Sequence, residues 1–194
     1  MTTARTPPCL HLPMPGRPLQ AGFTLLELIV TVTVLAVLLG VGIPSFNSTI
    51  ASSQLTSQAN RILTALNAAR MEAVKRNTQA IICTSANGTA CNGTSWASGW
   101  LIFMDANKNE TLDDGEPIFA KAEAMTNVSA TGNAPVASKV VFQADGTVLG
   151  VSNGTIRVCK PTTAVSENAR DIVINAGGRA RIERKALSGA CPAP

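Results

Sequence analysis

Residues 21–46 read AGFTLLELIVTVTVLAVLLGVGIPSF and contain a single charged side chain, Glu27. As a helix, the stretch from Phe23 to Ile43 would be about 31 Å long, the thickness of a bilayer core. A carboxylate in such a segment is costly and by default marks a function. Arg5 and Arg17 precede the run, which favours a cytoplasmic upstream end. A secretory signal would be cut after its apolar run in an A-x-A context. Here GVGIPSF follows the run, and the small residue Gly22 stands before it. A cut after Gly22 would give Phe23 a free ammonium and place Glu27 one helical turn into the new chain. The carboxylate then has a partner, on its own chain or on a neighbouring copy; the plainer reading is a glutamate at the membrane edge.

Gly40, Gly42 and Pro44 should weaken a helix locally, because proline removes a donor and clashes one turn back. The helical pattern then resumes. Ala51, Leu55, Ala59, Ile62, Leu66, Ala69 and Ala73 step by three and four and make one apolar stripe, with Arg61, Arg70, Lys75 and Arg76 mostly outside it. The pattern predicts one long helix over 23–76 whose second half packs on a globular domain. After Asn77 come short β-like runs divided by Gly, Asn, Asp and Pro: TQAIICT, GWLIFMD, EPIFAKA, KVVFQ, GTIRVCK, RDIVINA and RARIER. A helix followed by antiparallel strands is an α+β plan.

Composition narrows the chemistry. His11 is the only histidine, and it lies upstream of Gly22. A chain cut there has no Ser-His or Cys-His couple and lacks the commonest transition-metal ligand, so an enzyme is not expected. Cys9 precedes the apolar run, whereas Cys83, Cys91, Cys159 and Cys191 follow it without CxxC spacing. Four cysteines beyond a membrane segment suggest two disulfides in an oxidising compartment, and four allow three pairings. The local pair Cys83–Cys91 would leave Cys159–Cys191 to hold the C-terminal tail. Charge is uneven: residues 45–138 carry six Lys/Arg against seven Asp/Glu, and residues 139–194 carry eight against four.

GFTLLELIV resembles the processing site of type IV prepilins and type II secretion pseudopilins: the Gly, the Phe, the Glu four residues later and the apolar run all match. The resemblance implies cleavage after Gly22 by a prepilin peptidase, methylation of the Phe23 amine, and docking of the subunit into a filament of other pilins through Glu27. It further implies a single-pass inner-membrane protein of a Gram-negative bacterium with a periplasmic C-terminal domain, assembled later into a pilus. The organisation read here is a leader over 1–22, a membrane or filament-core helix over 23–43, its amphipathic continuation over 44–76, and a β-rich periplasmic domain with a basic tail over 77–194. The leader departs from the family norm in being long and rich in proline. A start at Met14 would leave MPGRPLQAG, nearer that norm.

Residues 96–119, WASGWLIFMDANKNETLDDGEPIF, resemble the loop of the GspH/FimT group of minor pilins and pseudopilins. Trp96 and Trp100 read as packing residues, with base stacking as the alternative. Counted from Asp105, oxygen-bearing residues fall at positions 1, 3, 5, 9 and 12: Asp105, Asn107, Asn109, Asp113 and Glu116. That is calcium-loop spacing, but Glu110 stands where the loop needs Gly and no helix follows. A polar hairpin tip without metal or cofactor is the expectation, with calcium as the alternative.

Residues 175–191, NAGGRARIERKALSGAC, open on a turn. In a following strand Arg179 and Arg181 share one face about 6.6 Å apart, with Ala180 and Ile182 on the other. Arg184 and Lys185 extend the charge and Glu183 dilutes it. Clustered arginines suit phosphates, because guanidinium is always charged and donates in a fork; a charged edge strand that resists aggregation is the plainer reading. GRAR at 178–181 resembles the GRxR motif of FimT-type minor pilins. That resemblance implies binding of double-stranded DNA during natural transformation through Gly178, Arg179 and Arg181. The alternatives are a FimU-like structural minor pilin and a GspH-like pseudopilin of a type II secretion system.

Overall fold

The computed structural model describes residues 22–162 and 165–194, with the side chains of 41–45 outside the description. Residues 1–21 of the leader, with Cys9, His11 and the alternative start Met14, lie outside the described residues. One helix, α1 (Leu25–Arg76), is followed by eight strands: β1 (Gln79–Thr84), β2 (Trp100–Asp105), β3 (Ile118–Ala122), β4 (Ser129–Gly132), β5 (Lys139–Phe142), β6 (Asn153–Cys159), β7 (Ala169–Asn175) and β8 (Ala180–Lys185). The helix spans the expected range, and all seven expected strands are present. The eighth, β4, has the sequence SATG with only Ala130 buried, so its sequence has no apolar alternation to announce it.

Two compact units divide the chain at residues 41 and 42. In the first, Thr24 caps the helix: its Oγ1 accepts from the Glu27 amide at 3.2 Å, which places Glu27 at the N3 position of a T-x-x-E sequence. The apolar side chains from Leu25 to Leu39 are exposed. Among the described residues no stretch of helix is long and apolar enough to cross a membrane, and Pro44 falls among the side chains left out.

The second unit is built on the apolar stripe of α1. Ala51, Leu55, Ala59, Ile62, Leu66, Ala69 and Ala73 are all buried. They share a core with the inward residues of two antiparallel sheets, ordered β3-β2-β1-β5 and β4-β6-β7-β8. Alanine at every second or third stripe position lets the sheets come close. The first sheet supplies Ala80, Ile82, Ile102 and Phe142, and the second Ile156, Val158, Ile172 and Ile174. β1 and β2 read as unbroken apolar runs because both faces are buried; the outer one forms a separate cluster of Ile81, Cys83, Leu101, Phe103 and Val141. Trp96 and Trp100 are core residues, Trp96 fully enclosed with Nε1 donating to the Val136 carbonyl at 2.9 Å. Trp96 presents no ring face for stacking, whereas Trp100, at 8% exposure, touches the groove beside α1.

Both cysteine pairs are joined, Cys83–Cys91 and Cys159–Cys191, with Cα separations of 5.5 and 5.7 Å. The second ties residue 191 to the end of β6. The neighbouring Arg157 then donates through Nη1 to the carbonyls of Pro192 and Ala193 at 3.3 Å each, while its Nε and Nη2 grip Asp171 at 2.7 and 2.8 Å. Its bond to Asp171, partly offset by burial, raises the Arg157 pKa.

Candidate nucleic-acid interface

β8 is the outer strand of the second sheet and hydrogen-bonds only to β7. Its inward positions are Ala180, Ile182 and Arg184; Arg181, Glu183 and Lys185 face outward by the alternation of the strand. Ala180 and Ile182 pack on the core. The hydrophobic pattern thus fixes which face each arginine leaves from, although the Arg184 side chain, at an inward position near the strand end, is still 68% exposed.

The turn from Asn175 to Arg179 is closed by its own backbone. Asn175 donates to the Arg179 carbonyl at 3.1 Å, Gly178 donates to the Asn175 carbonyl at 2.9 Å, and the Asn175 side-chain oxygen accepts from the Arg179 amide at 3.0 Å. Gly178 has φ +73, and a Cβ there would run into the Gly146 carbonyl oxygen and lie 2.9 Å from Arg70 Nε. Glycine is therefore demanded twice, by conformation and by space.

The five residues proposed from sequence do not form one cluster. Arg179, exposed at the turn, makes no side-chain hydrogen bond or ion pair among the described residues. Arg181 shares its face but donates through Nε and Nη2 to Glu183 Oε1 at 3.1 and 2.9 Å. Lys185 approaches the same carboxylate at 3.8 Å. Arg184 faces the other way, sits opposite Arg170 in the β7–β8 register, and meets Glu167 at 3.5 Å. The grouping of Arg184 with Arg181 thus fails on strand parity. All these pairs are exposed and worth about 0–1 kcal/mol each, so a phosphate can compete for the cations.

Two other arginines hold places that their local sequence does not announce. Arg170 is buried at 1% exposure and donates to the hydroxyls of Ser52 and Thr56 on α1 and to the carbonyls of Glu167 and Ala169. Burial, reinforced by Arg184, lowers its pKa. It ties the second sheet to the helix and is closed to ligands. Arg70 on α1 reaches the turn beside Gly178.

The loop between β2 and β3 is a polar hairpin tip. Asp105 accepts the amides of Asn109 and Glu110 at 3.2 and 2.8 Å, Asp113 accepts both side-chain amides of Asn107 and Asn109, and Glu116 accepts the amides of Ala106 and Asp113. Glu110 takes the φ of +60 for which a calcium loop uses Gly, and its carboxylate pairs with Lys139 on β5 at 2.7 Å. Among the described residues no group of three or more His, Cys, Asp or Glu is placed to hold a metal ion. A groove of about 1460 Å³ runs between α1 and the β3 edge; hydroxyls such as Ser53 and Thr56 line it with Arg61, Lys121 and Glu123.

Residues 58–178 match the family described as type II transport protein GspH, and residues 17–43 match the prokaryotic N-terminal methylation motif. The chain is 30% identical to the pilin-like protein PilA1 of Thermus thermophilus over 84% of its own length and 99% of that protein's. Two crystal forms of the type IV minor pilin FimU from Pseudomonas aeruginosa share its fold. Their TM-scores are 0.53 and 0.54 at 24% and 22% identity, over 70% and 71% of this chain and 98% and 96% of theirs.

Proposed function

The chain belongs to the GspH group of type IV pilins and pseudopilins, and from that premise we propose that it is a minor type IV pilin that holds DNA during natural transformation. The observation that carries this reading is Arg179, exposed beside a glycine turn and without a side-chain partner among the described residues, with Arg181 next along the same face in a weak surface pair. Duplex DNA presents one phosphate per 1.7 Å of axis, so a row of cations about 6.6 Å apart finds partners in any register. Contacts of this kind carry no direct sequence information.

The rest of the chain serves assembly. A prepilin peptidase cuts after Gly22 and the Phe23 amine is methylated, as the methylation motif over 17–43 supports. The exposed apolar side chains of Leu25–Leu39 then lie first in the inner membrane of a Gram-negative cell, with the second unit in the periplasm, and later against other pilins in the filament. Glu27 meets the Phe23 amine of a neighbouring subunit. A purely structural role, in a pilus or as a pseudopilin of a secretion system, has one observation in its favour: Glu183 and Glu167 already answer three of the four cations on or beside β8.

The test uses the processed full chain in detergent and a labelled DNA duplex. Fluorescence anisotropy should give binding in about the micromolar range or weaker, with log K falling against log salt at a slope of about −2 to −4. Arg179→Gln with Arg181→Gln should remove most binding and flatten the slope by about 2, with circular dichroism unchanged. No binding by the wild-type chain at low salt leaves the structural role standing instead.

A further inference from the structure

We propose that Arg70 of α1 is the positioning residue of the Gly178–Arg181 motif, clasping its turn and the β5–β6 turn to the helix so that Arg179 is held outward. This rests on the DNA-binding reading. Arg70 Nε donates to the Gly146 carbonyl at 2.9 Å and Nη2 to the Gly177 carbonyl at 3.0 Å, across 76 and 107 residues of sequence. One guanidinium thus bridges two loops, which its planar fork allows and a lysine ammonium does with looser geometry.

The two turns also lock each other. Gly146 has φ +80 and Gly178 φ +73; a Cβ at Gly146 would lie 3.2 Å from both Arg70 and Val74, and one at Gly178 would run into the Gly146 carbonyl and Arg70. The Val148 amide donates to the Ala176 carbonyl at 2.9 Å, and the Ala176 amide to that of Ser152 at 3.2 Å. The turn that precedes Arg179 is therefore held on one side by the β5–β6 connection and on the other by the helix. An arginine with free rotation about its turn would lose ordering entropy on meeting a phosphate, and a held one loses less. Within the β5–β6 turn, Thr147 donates to the Asp145 carboxylate from both hydroxyl and amide, which closes the turn next to Gly146.

The experiment compares full-length wild type, Arg70→Gln, Arg70→Lys and Arg179→Gln in detergent, by DNA anisotropy at two salt concentrations and by amide hydrogen exchange without DNA. In Arg70→Gln, exchange should rise over residues 143–147 and 175–179 while the centre of β7 stays protected. Its DNA affinity should fall about tenfold with the salt slope unchanged, because the residue orders the contact without making it. Arg70→Lys should recover part of both. Arg179→Gln should flatten the slope by about 1 and leave exchange of the β5–β6 turn alone. Turns that stay protected in Arg70→Gln, or wild-type affinity in that variant, overturn the proposal. A slope flattened by Arg70→Gln overturns it too, since Arg70 would then be a phosphate contact. Absence of wild-type binding is a different result: it fells the DNA reading, and positioning for DNA with it, while the exchange data still report on the clasp.

Discussion

Arg181 and Glu183 stand two residues apart on the outward face of β8, and the arginine's Nε and Nη2 both converge on one carboxylate oxygen. The pair restrains the motif that it belongs to. With side-chain exposures of 63% and 37% it contributes little to stability, and its main effect is to lower the positive potential of the strand. Glu183→Gln should raise DNA affinity several-fold at low salt and steepen the salt dependence, without changing thermal stability by more than about 0.5 kcal/mol. Anisotropy at two salt concentrations checks this. Affinity unaltered by the loss of the carboxylate would mean that DNA does not approach β8.

If the Glu27 carboxylate answers a neighbour's Phe23 amine, as proposed, Glu27→Ala should be processed normally but enter filaments poorly. The Thr24 hydroxyl still accepts the residue-27 amide, so the helix start should survive the substitution. Immunoblots of sheared filaments and of membranes separate processing from incorporation; mutant and wild-type subunits in equal amounts in filaments would refute the role. Gly22→Leu should instead leave the precursor uncut, and a shortened product would place the cut elsewhere.

Cys191→Ser should lower the stability of the second unit by about 3–4 kcal/mol, since the bridge to Cys159 spans 32 residues. Opening the 8-residue span of Cys83–Cys91 should cost less, about 2–3 kcal/mol in the same treatment. Loss of the tail should also uncover Arg157 and Asp171, whose side chains are only 13% and 4% exposed. Denaturant unfolding of the two single-bridge variants, with intact-mass counts of free thiols, tests the order; a larger loss from Cys83–Cys91 contradicts it.

Glu72 introduces a pH dependence. The hydrogen bond from Arg76 at 2.7 Å, and to a lesser degree Lys75, hold its carboxyl below the ordinary 4.5 despite its burial. A pKa depressed by folding stabilises fully above the unfolded value and loses that contribution as pH falls through the folded one. The stability gap between wild type and Glu72→Gln should therefore be open near neutral pH and close as pH falls through and below the ordinary carboxylate range. A gap constant over that range would remove Glu72 as its source.

Much of the architecture was legible because burial and periodicity coincide. The stripe from Ala51 to Ala73 steps at the helical period and is buried at every position. The alternation Ala180, Arg181, Ile182 on β8 assigns two faces, and the structure keeps them. β4 was not legible, since its two inward positions are an alanine and a glycine, which give no apolar alternation to read. Arg70 was read as an outward cation of the helix. Nothing local distinguishes it from Arg61, and the two carbonyls it holds lie 76 and 107 residues away.

The sequence by itself determined the long helix, the antiparallel strands, the lone carboxylate at the start of the apolar run and the pattern that marks the family. Each is written in neighbouring residues, through periodicity, turn chemistry or a short motif. Only the tertiary structure decided which cations are free. Strand parity turned Arg184 away from Arg181, Glu183 took up Arg181, and Gly178 proved to be fixed by the closeness of Gly146 and Arg70. Charge can be counted along a chain, but its neutralisation depends on distances of 3–4 Å that folding sets between residues far apart in sequence.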